Sequence, residues 1–87
     1  MKMIIAILRD HDCDPVIQAL TGVNFRVTRI ASTGGLLRRG TGTLLVGVED
    51  DQVEAAINLM RQKAGPASGG ERKATIFVVP VENFQQI

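Results

Sequence analysis

Tryptophan and tyrosine are absent from this chain of 87 residues, and phenylalanine occurs only three times. Aromatic platforms on which single-stranded bases stack are therefore scarce. The formal net charge is +1, too balanced for a general nucleic-acid binder, whose basic surface is broad. Cys13 is the sole cysteine, which excludes an intramolecular disulfide and a cysteine zinc site. No apolar run reaches membrane-spanning length, and Met3 to Leu8 is too short for a signal segment. The expectation is a cytoplasmic protein with no membrane insertion. One further absence is local. From Pro15 to Val48 there is no Asp or Glu, yet the stretch carries Arg26, Arg29, Arg38 and Arg39. Such a segregation of charge invites an anionic ligand.

What is present is aliphatic. Apolar residues make up 45% of the chain and aromatics 3%, so Ile, Val, Leu, Ala and Met must fill the core of a single domain over residues 1–87. Met3 to Leu8 reads as a strand apolar on both faces. Asp14-Pro15 reads as a helix start, with Asp14 as N-cap and Pro15 at the first helical position, and Gly22 as the stop. A second strand is expected from Asn24 to Ala31 and a third from about Thr43 to Glu49. Asp51 and Glu54 fit a capping box, and Val53, Ala56, Ile57 and Met60 follow at helical spacing. Ala64 to Gly70 is loop-like in composition. Thr75 to Pro80 is the last strand, ended by its proline.

The order β-α-β-β-α-β predicts an α+β, ferredoxin-like fold: an antiparallel four-stranded sheet with two helices on one face. Two helices leave the other face open, although the first and fourth strands are apolar on both sides. A homo-oligomer that buries the open face is expected.

Four features compete as sites. Asp10-His11-Asp12-Cys13-Asp14 contains metal-ligand types, but adjacent side chains in a turn diverge, and no metal is expected. Gly35 to Thr41 has the outer spacing of a P-loop without its lysine, and a strand follows instead of a helix. The same glycines and hydroxyls suit close approach of a phosphate to the backbone; a soluble hairpin connection is the plainer alternative. On the second strand Arg26 and Thr28 share a face, as do Thr43, Leu45 and Gly47 on the third. Gly47 leaves a gap for a flat ring beside a guanidinium able to grip phosphate, or else it is a bulge glycine beside a solvated arginine. No nucleophile–base pair stands out, and His11 is the only histidine. A binding protein is favoured over an enzyme.

In Met1 to Ile7, Asn24-Phe25-Arg26-Val27-Thr28, Thr33-Gly34-Gly35-Leu36-Leu37-Arg38, Gly47 to Val53, Ala74 to Val81 and Phe84-Gln85-Gln86, the chain resembles the bacterial PII-like cyclic di-AMP receptors, the DarA or PstA family. The resemblance implies a homotrimer with cyclic di-AMP in the clefts between subunits and no other cofactor. It implies that Arg26 binds phosphate and Thr28 an adenine edge, with Asn24 nearby. Gly35, Leu36 and Leu37 would cover the ligand, Thr41 would face it, and Gly47 would give the purine room. Phe77 and Gln86 would complete the pocket from the adjacent subunit. Binding would order the loop at residues 33–41 and alter the surface shown to an unknown protein partner. Leu36 and Thr41 stand where the family often has Phe and Asn, and the loop after the second helix is short. Leu36 and Thr41 favour the alternative, a PII-like adaptor for another adenine nucleotide or anion such as ATP, whereas the short loop bears on signal output rather than on ligand binding.

Overall fold

The chain adopts the β-α-β-β-α-β order in a computed structural model that describes residues 1–30, 40–66, 69 and 72–87. The elements are β1 (Lys2–Arg9), α1 (Asp10–Gly22), β2 (Arg26–Ile30), β3 (Thr41–Val48), a 3₁₀ turn (Asp50–Gln52), α2 (Val53–Lys63) and β4 (Ala74–Pro80). The sheet order is β2-β3-β1-β4, with every neighbouring pair antiparallel. Each helix thus crosses over a pair of strands that has a third strand between them. Two split βαβ units interlock, which is the ferredoxin-like, PII-like arrangement.

Alternation along the strands decides what is covered. Ile4, Ala6 and Leu8 of β1 are buried together with Leu44, Val46 and Val48 of β3. Cys13, Val16 and Leu20 of α1 and Ala56 and Met60 of α2 close over them. Successive strand residues point to opposite faces, so Met3, Ile5 and Ile7 lie on the side away from both helices. There Ile5 is paired between Leu45 and Phe77, and Phe77 remains 53% exposed. Among the described residues neither helix covers this face, in line with the sequence expectation.

The first helix starts earlier than its sequence suggests. Arg9, not Asp14, is the N-cap residue, and Pro15 lies inside the helix, where it cannot donate a ladder hydrogen bond. Tertiary contacts hold the extra turn. The Asp10 N–H donates to the Gly40 carbonyl at 2.8 Å. The Asp12 carboxylate, 3% exposed, accepts from Arg9 at 2.7 Å and from the Gly65 N–H at 2.9 Å. Asp10 and Asp12 also place negative charge in the first turn, where the helix dipole favours it.

The second helix also begins differently. Its capping box is Glu49 with Gln52, whose side chain accepts from the Glu49 N–H at 2.9 Å, and it caps the 3₁₀ turn that leads into α2. Asp51 and Glu54 do not form the pair. Every residue of the expected apolar stripe packs inward: Ala56 and Met60 are buried, and Val53 and Ile57 lie against the core.

Candidate functional site

The open face carries a cavity at the end of the sheet where β1 begins. In the strand register Arg26 stands opposite Gly47, which stands opposite Met3; one step along, Thr28 stands opposite Leu45 and Leu45 opposite Ile5. A Cβ placed on Gly47 would meet no heavy atom within 4 Å, so the missing side chain leaves open space on the cavity floor. Beyond Pro80 the chain turns back across this face. The Val81 N–H donates to the Met1 carbonyl at 3.1 Å, which anchors the tail and brings Val81, Asn83, Phe84 and Gln86 over the sheet. The result is a cavity of about 660 Å³ lined by these residues with Met1, Lys2, Met3, Arg26, Thr28, Leu45 and Gly47.

Its walls are mostly apolar and its cations are Lys2 and Arg26. The Arg26 guanidinium lies 5.9 Å from the centroid of the Phe84 ring, within range of a cation–π contact. Arg26 has no carboxylate partner among the described residues, so its charge is available to an anion. Arg29 is committed elsewhere: it points to the helix side and pairs with Asp14 at 3.2 Å.

Of the residues singled out in the sequence, Arg26, Thr28, Gly47 and Gln86 line this one cavity. In the single chain Gln86 reaches this cavity from its own tail. Thr41 does not join them. It lies six residues from Gly47 along β3, about 20 Å at the usual rise of a strand, and lines a second cavity of about 330 Å³ with Arg9, His11, Arg72 and Lys73. Phe77 shares the open face but is separated from Leu45 by Ile5 and does not line the cavity. Asn24 serves the backbone. Its φ of 70° is the left-handed conformation that Asn tolerates, and its N–H donates to the Thr21 carbonyl at 3.0 Å as α1 ends. Gly35, Leu36 and Leu37 lie outside the described residues.

The acidic run at Asp10–Asp14 is absorbed by the fold. Burial alone would push the Asp12 carboxyl up, but the Gly65 N–H, the Arg9 hydrogen bond and charge, and His11 together hold it below the usual carboxylate range. Burial pushes the Cys13 thiol up, which leaves it a core side chain and a poor nucleophile.

Sequence reasoning missed Met1, Lys2, Met3, Val81, Asn83 and Phe84 as cavity residues. The tail has no hydrophobic period, so nothing local says where it folds back. Leu45 was legible, because strand alternation puts it on the face of Gly47.

The whole arrangement has close company among known proteins. A crystal structure of a functionally unknown protein from Pediococcus pentosaceus ATCC 25745 matches with a TM-score of 0.80 at 25% identity, covering 99% of this chain and 96% of that one. The family model described as cyclic-di-AMP receptor matches residues 1–68. That stretch contains β1, α1, β2, β3 and α2, and with them Arg26, Thr28 and Gly47. On this match the chain belongs to the cyclic-di-AMP receptor family.

Proposed function

We propose that this protein is a PII-like signal-transduction protein that binds cyclic di-AMP at clefts between the subunits of a homotrimer. One observation carries the reading: Arg26, Thr28, Gly47 and Gln86, scattered along the chain, line a single cavity on the uncovered face of the sheet. Arg26 takes a phosphate in a charge-assisted, bidentate contact. Thr28 and Gln86 offer hydrogen bonds to adenine edges, and the gap at Gly47 admits the flat ring. The two cations of the lining, Lys2 and Arg26, match the two single charges of a cyclic dinucleotide. A triphosphate concentrates more charge than this apolar cavity offsets, so ATP fits it less well.

Trimer formation buries Met3, Ile5, Ile7 and Phe77 and turns the open cavity into a cleft. The loop at residues 33–41 then closes over the ligand and is ordered by it, which changes the surface presented to a protein partner. The proposed role is binding, and among the described residues that line the cavity none forms a nucleophile–base pair.

Isothermal titration of the protein with cyclic di-AMP, cyclic di-GMP, ATP and AMP tests the reading. Micromolar or tighter binding of cyclic di-AMP alone, near one ligand per subunit, is expected. An isotherm with ATP and none with cyclic di-AMP would replace the proposal by the adaptor alternative.

A further inference from the structure

Among the described residues, the tail contributes the only ring in the cavity wall, and it does so outside the residues matched by the family model. Phe84 lines the cavity yet is 56% exposed. An aromatic side chain with that much free surface is not a core residue whose position is fixed by packing. The hydrogen bond from the Val81 N–H to the Met1 carbonyl ties the preceding tail to the sheet, and the Arg26 guanidinium lies over the Phe84 ring at 5.9 Å.

Resting on the cyclic di-AMP reading above, we propose that Phe84 is a base-stacking residue: an adenine of the ligand lies against its ring while Arg26, kept beside that ring, takes the adjoining phosphate. The chemistry follows from the parts. A purine presents a flat π-face that any aromatic ring can stack on. A guanidinium beside the same ring is attracted to its face, so the ring also restricts where Arg26 can go before ligand arrives. Less ordering of Arg26 is then needed on binding, and affinity rises accordingly. Gly47 removes the side chain that would otherwise stand on the cavity floor, so space for the base and a ring to stack it on occur in one cavity. Phe77 cannot take this part from within the same chain, because Ile5 stands between it and the cavity strand.

The test compares Phe84→Leu, which keeps apolar volume without a ring, with Phe84→Tyr, which keeps the ring, by calorimetric titration with cyclic di-AMP. Phe84→Leu should weaken binding about tenfold, while Phe84→Tyr stays within about threefold of the natural protein. Thermal unfolding of the free proteins is followed in parallel, and equal midpoints are expected because Phe84 is half-exposed. Equal affinity for all three proteins would overturn the proposal while leaving the receptor reading intact. Equal weakening by Leu and Tyr would also overturn it, since the ring would then not be what matters. Failure of the natural protein itself to bind cyclic di-AMP would remove the receptor reading and this inference with it.

Discussion

Arg9 Nε donates to Asp12 Oδ2 at 2.7 Å in a pair whose side chains are 12% and 3% exposed. The other carboxylate oxygen accepts from the Gly65 N–H at 2.9 Å, and Arg9 reaches on to the carbonyls of Gly65 at 2.7 Å and Pro66 at 3.0 Å. Two side chains thereby tie the end of β1, the first turn of α1 and the segment after α2 into one joint.

Breaking that joint should be costly. Asp12→Ala removes the carboxylate that Arg9 Nε and the Gly65 N–H share, and should lower stability by about 2 kcal/mol in urea unfolding. A loss below about 0.5 kcal/mol would show that the joint contributes little.

The same carboxylate sets an acid limit. Its pKa is lowered in the folded state, so its contribution is present above the unfolded carboxylate value and is lost as pH falls through the folded one. The stability gap between the natural protein and Asp12→Asn should therefore be flat from about pH 5 to 8 and shrink below about pH 4. A gap that grows in acid would contradict the assigned direction.

Thr43 carries a stability cost. It is 5% exposed, and its Oγ1 is buried with no hydrogen-bond partner among the described residues. Thr43→Val keeps the shape and removes the unpaired hydroxyl, and should raise stability by about 1 kcal/mol. Destabilisation would mean that the hydroxyl is satisfied in solution.

Two glycines of β3 should behave oppositely. A Cβ on Gly42 would come within 2.8 Å of the Cys13 Sγ, so Gly42→Ala should cost about 1–3 kcal/mol through overpacking. A Cβ on Gly47 meets nothing within 4 Å, so Gly47→Ala should fold as well as the natural protein. It should nonetheless bind cyclic di-AMP about tenfold more weakly, because the methyl occupies the floor on which the base lies. Unfolding curves and calorimetry on both variants separate the two effects.

Much of this was legible in the sequence, and the exceptions have physical causes. Strand alternation put Arg26 and Thr28 on one face and Leu45 and Gly47 on another, and pairing brought those faces together. The start of α1 was misplaced because Asp14-Pro15 is a strong local helix signal, and contacts from Gly40, Arg9 and Gly65 extend the helix a turn beyond it. The capping box moved from Asp51 to Glu49 because a 3₁₀ turn precedes α2. The place of Phe84 in the cavity was not legible for a different reason: a tail without periodicity is placed by long-range contacts such as that from the Val81 N–H to the Met1 carbonyl, which only the folded chain reveals.

The proposed receptor function stands or falls with cyclic di-AMP binding in the cavity between Arg26, Gly47 and the tail. Amide chemical shifts of the ¹⁵N-labelled protein, followed during titration with cyclic di-AMP, test it most directly. The largest movements are predicted at Arg26, Thr28, Gly47 and Gln86, saturating together. Saturation of the protein with those four amides unmoved would contradict it.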